Sequence, residues 1–325
     1  MQFRENFRVR RLTTEKIIDQ YGKSSHYKHK IRAGGEMGSS SETQCLIFLW
    51  FAGNKTTYRK VANLFHIASS TVHKYISCIS DFLFNISAKV IRMPSGDEKD
   101  SNAQQFFQIA GFRNVLGYID GTYIYVRKPA NKIRSTYINR HGLLSITLKT
   151  ICDGNKRFLD LFVGSPSKIH DALIYKLSPI SKQLSSVCVD KFHIFGDSAY
   201  PLREYLLITN KDYGDLSQQQ KPFNKKHNQT RVSIENSFAL LKQRWRQLSH
   251  LDFFPVDRMC KFVLGCCVLH NLCIEEKDDW IENVVCAEVV RRELRGEILS
   301  EQLGLSETVL QHMGKLKRNG IAETF

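Results

Sequence analysis

The 325-residue sequence has few of the features that mark fibrous, secreted or membrane proteins. It contains 7 prolines and 19 glycines, which is too few for long low-complexity segments. Its longest apolar runs, residues 45–52 and 262–274, are shorter than the roughly 20 residues that cross a bilayer. The first residues lack the apolar core of a signal peptide. We therefore expect a globular protein of the nucleus or the cytosol, without a membrane partner.

Cysteine pairs of the type Cys-x-x-Cys are absent, and the odd number of nine cysteines argues against a disulfide framework. Cys266, His270 and Cys273 are spaced by four and three residues, which places them on one helical face. A zinc site needs a fourth ligand, which this stretch does not show. The surrounding run is apolar, so the sequence favours packing in a core over metal binding.

Acidic residues are too few to balance the basic ones, and the net charge is +15. Residues 1–110 contain 16 basic and 9 acidic side chains, and residues 111–250 contain 22 and 10. Residues 251–325 reverse the balance, with 9 and 13. A basic body is expected of a protein that binds a polyanion such as nucleic acid. Solvated lysines on an ordinary enzyme give the same total, so charge alone leaves both readings open.

Residues 42–92 predict a small all-helical domain after a basic arm or linker, residues 1–41. Residues 57–65 and 69–76 predict two short helices joined by the turn 66–68, with Ser69 or Ser70 as the cap. This plan is typical of a helix-turn-helix, whose second helix enters the major groove of DNA. Its groove-facing side chains would be Ser70, Thr71, His73 and Lys74, and its core would contain Val61, Ala62, Leu64, Val72 and Ile76. A helical hairpin that only packs on a neighbouring domain is the alternative.

From residue 111 the pattern changes to aromatic and β-branched runs. Residues 115–119 and 122–126 flank Asp120-Gly121, which indicates either a tight hairpin turn or one strand with Asp120 near its middle. A hairpin follows at residues 143–152 and 158–163. The apolar stretch 192–195 then ends at Gly196, which predicts that Asp197 lies at the rim of a sheet.

A basic loop is predicted between these strands, at residues 127–141. Its cationic side chains are Arg127, Lys128, Lys132, Arg134, Arg140 and His141. With Tyr137 among them, they suit a loop that binds phosphates and stacks on a base, although a solvated loop fits equally well. Residues 200–224 read as irregular, with a mobile polar loop at 217–221.

An amphipathic helix is predicted at residues 236–248, from an apolar stripe formed by Ile234, Phe238, Leu241, Trp245 and Leu248. Glu235 borders this stripe, and Lys242 and Arg246 extend its own face, which suits a metal ligand beside a phosphate path. An ordinary ion pair with Arg231 one turn earlier is the alternative role of Glu235. Asp171 is expected to cap a helix or to lie in its first turn, or to be an accessory residue of the same site.

Asp120, Asp197 and Glu235 occur in the order strand, hairpin, helix, strand, helix, which is that of a ribonuclease-H-like fold with a DDE site, two aspartates and a glutamate. A phosphodiester resists nucleophiles because its charged oxygens repel them. Two divalent cations about 3.5 to 4 Å apart overcome this by activating water and stabilising the leaving oxygen. Mg²⁺ or Mn²⁺ prefers hard oxygen ligands, which three carboxylates would supply.

Several motifs, taken in order, resemble those of the PIF/Harbinger transposases and the Harbinger transposase-derived nucleases. They are Ile119-Asp120-Gly121-Thr122, residues 137–142, His170-Asp171, residues 196–201, residues 231–236 with Leu241-Lys242, and residues 267–271. The resemblance implies an α/β fold, a ribonuclease-H-like DDE core preceded by an all-α helix-turn-helix domain, with Asp120 in a strand. It implies that Asp120, Asp197 and Glu235 are the catalytic, metal-binding triad. Residues 165–168 and Ala199 depart from the more usual glycines, but neither departure removes a ligand.

The sequence therefore predicts a metal-dependent DNA endonuclease of DDE type, with a nuclease domain at residues 111–275 and an acidic helical tail at 276–325. Its expected partners are double-stranded DNA, a second copy of the chain, and, as the resemblance implies, a Myb-like DNA-binding protein that aids nuclear entry. A domesticated DNA-binding protein without cleavage activity is the alternative function. A phosphatase or ribonuclease on the same fold is a weaker one.

Overall fold

The computed structural model describes residues 2–27, 38–189, 191–253, 255–278 and 305–325. They form two compact units, each assembled from separate stretches of chain. Of the described residues, the first unit takes 2–91, 123–146 and 240–278, and the second takes 92–122, 147–239 and 305–325. These units differ from the linear division into arm, helix-turn-helix, nuclease and tail. Residues 279–304 of the predicted tail lie outside the described residues.

The helices and strands follow one another along both units. In chain order they are α1 (Gln2–Phe7), α2 (Arg11–Gly22), α3 (Ser41–Gly53), α4 (Tyr58–Leu64), α5 (Ser69–Val90), α6 (Glu98–Ala110), β1 (Val115–Tyr125), β2 (Ser145–Cys152), β3 (Phe158–Pro166), α7 (Asp171–Leu177), α8 (Ile180–Val187), β4 (His193–Gly196), β5 (Leu206–Ile208), α9 (Gln220–Arg244), α10 (Val256–Glu275) and α11 (Leu305–Ala322). Short 3₁₀ turns occupy Arg134–Tyr137 and Arg246–Ser249.

The first unit is built on α5, which packs against α3, α4 and α10. A Cβ atom on Gly265 of α10 would lie 3.1 Å from Leu83 Cδ1, so this glycine permits the close approach of α10 to α5. The predicted arm contains the helices α1 and α2. Tyr21 of α2 is fully buried, and its hydroxyl donates to Gln44 Oε1 at 2.7 Å. Burial of such side chains folds this stretch onto the unit.

The two predicted helices at residues 57–76 are present as α4 and the start of α5, joined by residues 65–68. Four of the five predicted core residues are buried, namely Val61, Ala62, Val72 and Ile76. The prediction for Leu64 is wrong, because this last residue of α4 is 48% exposed. The predicted serine cap is also wrong, since Ala68 precedes α5 and no side chain caps it.

A short backbone bridge within the first unit involves residues 125–127 and Leu251. Leu251 N donates to the Tyr125 carbonyl oxygen at 2.9 Å, and Arg127 N donates to the Leu251 carbonyl oxygen at 2.8 Å. Distant parts of the sequence therefore complete each other's hydrogen bonds in this unit.

The five-stranded sheet has the order β3-β2-β1-β4-β5. β1 runs parallel to β4, and β4 runs parallel to β5. Asp120-Gly121 lies inside β1, so the strand interpretation is confirmed and the hairpin turn is excluded. This mixed sheet with flanking helices is consistent with a ribonuclease-H-like DDE core, as predicted.

The stretch 200–224 is less irregular than the sequence predicted. β5 crosses it, and α9 already begins at Gln220, inside the predicted mobile loop. The sequence did not show this start because residues 220–229 are mostly polar. The helix is extended by the burial of Phe223 and His227, whose ring centroids lie 5.9 Å apart.

Helix α11 packs beside β5 in the second unit. A Cβ atom on Gly314 would lie 2.8 Å from the backbone carbonyl carbon of Arg203, so a larger residue would hold the helix away. An ion pair between Arg203 and Glu307 and a hydrogen bond from Lys317 Nζ to the Phe192 carbonyl oxygen at 3.1 Å fix the helix there.

Two general features of the chain complete the description. No helix of the described residues is long and apolar enough to cross a membrane. The eight cysteines that the structure describes form no disulfide with one another. Cys266, His270 and Cys273 are buried in α10, as expected for packing residues.

Candidate active site

The register of β1 against β4 brings two acidic residues together. Ile119 of β1 pairs with Gly196 of β4 in parallel register. The next residue of each strand path is an aspartate, Asp120 in β1 and Asp197 just past β4. Because parallel strands with this register advance together, the two aspartates lie side by side at the carboxyl end of β4. A gap of 77 residues in the sequence is thereby closed.

Each aspartate is held by one carboxylate oxygen. Asp120 Oδ1 accepts a hydrogen bond from Gly121 N at 2.7 Å. Asp197 Oδ1 accepts one from Ser198 Oγ at 2.9 Å and one from Ala199 N at 3.3 Å. Local hydrogen bonds therefore fix the orientation of both side chains, and the Oδ2 atoms are directed elsewhere.

A single guanidinium group joins the acidic residues. Arg231 Nη2 lies 3.1 Å from Asp120 Oδ2, and Arg231 Nη1 lies 3.1 Å from Asp197 Oδ2. Arg231 Nε lies 3.4 Å from Glu235 Oε1, one helical turn further along α9. The three predicted triad residues thus converge on one cationic side chain. The sequence indicated only the pair with Glu235, because an i,i+4 spacing is visible in a sequence and contacts to two distant strands are not.

Burial gives this cluster unusual electrostatics. The Asp120 side chain is only 4% exposed, whereas those of Asp197 and Glu235 are 21% and 16% exposed. Burial raises the pKa of Asp120 to about 7, against the opposing effect of Arg231. Burial alone would lower the pKa of Arg231, but Asp120, Asp197 and Glu235 outweigh it and raise that pKa. Arg231 is therefore cationic at every accessible pH.

Asp171 and Tyr200 lie beside the cluster. Asp171 is the first residue of α7, as the sequence predicted for a first-turn acid. A Cβ atom on Gly121 would lie 3.0 Å from Asp171 Oδ1, so glycine at this strand position makes room for a fourth carboxylate. The Tyr200 hydroxyl is buried and has no hydrogen-bond partner among the described residues. Burial, with Asp171 and Asp120 adding to it, raises the pKa of Tyr200 well above its ordinary value.

The chemistry of these donors suits a hard divalent cation, although the described residues contain no three His, Cys, Asp or Glu side chains at the spacing that a metal ion requires. All donors are carboxylate oxygens, and the Oδ2 atoms of both aspartates already face a cationic group. The residues therefore fit Mg²⁺ or Mn²⁺ by donor type, and their spacing in this structure is that of ion pairs with Arg231.

The predicted DNA-contacting residues of the first unit are mostly on its surface. Ser70, His73 and Lys74 are exposed at the start of α5, and Thr71 is half-buried. The loop cations Arg127, Lys128, Lys132, Arg134 and Arg140 are exposed as well. Tyr137 is only 5% exposed, so the prediction that it stacks on a base is wrong.

Lys242 and Arg246 were predicted to continue the helical face of Glu235. Lys242 lies on α9 and is half-buried. Arg246 is exposed but lies in a 3₁₀ turn beyond the end of α9 at Arg244. The prediction of one continuous face is therefore wrong for Arg246, because the helix ends two residues too early.

Residues 119–271 match the family model described as DDE superfamily endonuclease. These residues include Asp120, Asp197 and Glu235, and they are similar to the endonuclease domain of that family.

Among curated proteins, the chain is similar to the Homo sapiens protein named Putative nuclease HARBI1, with 26% identity over 246 residues, 74% of this chain and 69% of the relative. It is also similar to the Arabidopsis thaliana Protein ALP1-like, with 29% identity over 202 residues, 57% of this chain and 49% of the relative. The resemblance to Harbinger transposase-derived nucleases is thereby confirmed. No solved structure matches the chain at a significant level.

Proposed function

We propose that this protein is a metal-dependent DNA endonuclease of the DDE transposase type, which hydrolyses phosphodiester bonds by a two-metal mechanism. The observation that carries the proposal is the convergence of Asp120, Asp197 and Glu235 on one cation-binding point. Ordinary surface ion pairs do not bring three acidic side chains, one of them buried, from separate parts of the chain onto a single guanidinium group. The similarity of residues 119–271 to an endonuclease family supports the same reaction class.

Asp120, Asp197 and Glu235 are the proposed ligands of two Mg²⁺ or Mn²⁺ ions. When bound, such ions supply an activated water and stabilisation of the leaving oxygen. The hydrogen bonds to the Oδ1 atoms of both aspartates hold the carboxylates in place before binding, which limits the reorganisation required. Asp171 is the proposed accessory acid, because it packs against the residue that follows Asp120.

Double-stranded DNA is the proposed substrate. The exposed cations of the loop 127–141, together with Lys242 and Arg246, are proposed to bind its backbone, since phosphate contacts position a protein without reading sequence. The exposed start of α5, with Ser70, Thr71, His73 and Lys74, is proposed to enter the major groove as the second helix of a helix-turn-helix.

Nicking of a supercoiled plasmid tests the proposal. Wild type should nick in the presence of Mg²⁺ or Mn²⁺ and not with a chelator, and Asp197→Ala should abolish nicking. Asp215→Ala is the matched control, because Asp215 is exposed in a loop of the same unit and the substitution removes the same charge. Equal nicking by wild type and Asp197→Ala would refute the assignment of the triad.

A DNA-binding protein descended from a transposase, without cleavage activity, is the second candidate. One observation favours it, namely that the protein's own Arg231 contacts all three acidic residues. A DNA-binding assay and a nicking assay together distinguish the two candidates. DNA binding by wild type without metal-dependent nicking, unchanged in Asp197→Ala, would select the second candidate.

A nuclear location, a Myb-like DNA-binding partner and self-association complete the proposal. The Myb-like partner and its role in nuclear entry follow from the resemblance to Harbinger-type proteins. Size-exclusion chromatography with light scattering tests self-association. Imaging of a fluorescent fusion, with and without a co-expressed Myb-like protein, tests the partner and its effect on nuclear entry.

A further inference from the structure

Arg231 occupies the point on which the acidic triad converges. Its three guanidinium nitrogens each lie within 3.4 Å of a different acidic side chain, Asp120, Asp197 or Glu235. We propose that Arg231 is a positioning residue, a built-in counter-cation that holds the triad together without metal and that a divalent ion must displace. This inference rests on the proposed metal-dependent function and adds a competitor to it.

The competition concerns the same oxygen atoms. Asp120 and Asp197 both use Oδ1 for local hydrogen bonds and present Oδ2 to Arg231. An ion held by both aspartates would compete with Arg231 for these Oδ2 atoms, which are the carboxylate oxygens that take no part in the local hydrogen bonds. The guanidinium and the ion therefore exclude each other.

The spacing of the carboxylates agrees with a guanidinium in place. Among the residues that the structure describes, no three acidic, histidine or cysteine side chains are close enough to hold a metal ion together. A guanidinium is a flat group several ångströms wide, and it contacts each acid through a different nitrogen. Its departure removes the spacer and lets the carboxylates approach a smaller ion.

Arg231 has a route out of the cluster. Its side chain is 19% exposed, and the side chains of Asp197 and Glu235 are 21% and 16% exposed. The Asp120 side chain, by contrast, is almost fully buried. The long side chain can therefore swing towards the exposed side of the cluster while α9 stays in place. Glu235 lies one turn further along the same helix, so the displaced guanidinium can remain near its carboxylate.

Titration with Mn²⁺, followed by electron paramagnetic resonance of the unbound ion, measures the competition directly. Arg231→Met removes the guanidinium and should tighten Mn²⁺ binding on the order of 10- to 100-fold, the usual size of coupling between two ligands. Arg231→Lys keeps the charge but not the planar fork, so its affinity should fall between the two. Lys225→Met is the matched control on the same helix, since it removes one exposed positive charge away from the triad and should leave the affinity within about twofold.

Thermal unfolding gives a readout that a purely structural role would not reproduce. Without metal, Arg231→Met should melt at a lower temperature than wild type, because three acidic side chains lose their counter-cation. Saturating Mn²⁺ should raise the melting temperature of Arg231→Met more than that of wild type. A substitution that only damaged packing would lower the stability without tightening metal binding.

Wild type offers a test that does not depend on a folded variant. The Arg231 Nε–H signal in a ¹⁵N-labelled sample, assigned by its loss in Arg231→Lys, should exchange faster with water once Mg²⁺ is added. Equal Mn²⁺ affinity of wild type and Arg231→Met, with an unchanged Nε–H signal, overturns the inference and leaves the metal site intact. Absence of binding in every variant overturns the metal assignment itself, and the inference with it.

Discussion

His227 provides a sharp test of how the second unit is packed. It lies on α9 with no exposed surface, and its ring centroid is 4.6 Å from that of Phe195 and 5.4 Å from that of Tyr118. Neither ring nitrogen makes a well-formed hydrogen bond within the described residues. Burial lowers the pKa of His227 to about 3, with Arg231 adding to the effect. The imidazole is therefore neutral in the folded protein near neutral pH.

The consequence is a loss of stability in acid. An unfolded histidine titrates near pH 6.5, so between about pH 6.5 and pH 3 the unfolded chain binds a proton that the folded chain does not. The free energy of unfolding therefore falls as the pH falls through this window. At about pH 5, His227 alone should cost about 2 kcal/mol relative to about pH 7.5, from 1.4 kcal/mol per pH unit over roughly 1.5 units.

His227→Phe should remove this dependence, because phenylalanine keeps an aromatic ring and cannot bind a proton. The measurement is urea unfolding by far-ultraviolet circular dichroism at both pH values. The loss between them should be smaller by about 2 kcal/mol in His227→Phe than in wild type. Any constant cost of the substitution cancels in this difference, as does the contribution of His193, which is also buried.

His312→Phe is the matched control, because His312 is exposed on α11 and its replacement alters no buried position. Tryptophan fluorescence is unsuitable as the probe, since Trp50 and Trp245 both belong to the first unit. The same acid sensitivity in His227→Phe and wild type would refute the claim that a buried neutral imidazole controls it.

Two further predictions concern packing and DNA contact. Gly117→Ala should lower the free energy of unfolding by about 1–3 kcal/mol, because the new Cβ would lie 2.6 Å from Ile151 Cγ2. Gly320→Ala should not destabilise the protein, because no atom lies within 4 Å of its new Cβ. Urea unfolding measures both effects. Lys74→Ala should weaken binding to duplex DNA and reduce the slope of log affinity against log salt concentration by about 1. Lys89→Ala, at the far end of α5, should change neither the affinity nor the slope. Fluorescence anisotropy measures both quantities. Equal slopes for the two lysine variants would remove the start of α5 from the proposed DNA interface.

Two carboxylates of the candidate site, those of Asp197 and Glu235, could be identified from the sequence because each lies next to a regular pattern of apolar residues. Asp197 follows a short apolar strand, and Glu235 borders an apolar stripe of period 3.6. Asp120 was harder to interpret, because Asp-Gly between β-rich runs is a typical turn. The structure explains the exception. Glycine at position 121 inside β1 leaves room for Asp171, because a Cβ atom there would lie 3.0 Å from Asp171 Oδ1.

Features that depend on distant contacts could not be predicted in this way. Arg231 reaches two strands far away in the sequence, and only the folded chain shows those ion pairs. The polar start of α9 is helical because Phe223 and His227 pack into the core, which overrides its weak apolar pattern. Tyr137 resembles a base-stacking residue in the sequence because cations surround it, yet its side chain is buried in the folded chain.

The interleaving of the two units limits how such a protein can change during evolution. A fragment covering residues 92–239 would retain all four carboxylates but would also carry residues 123–146, whose backbone partner Leu251 lies outside it. Recombination or exon loss can therefore hardly delete one unit and spare the other. A descendant that abandons one activity is expected to do so by single substitutions, leaving a silent site inside an intact scaffold.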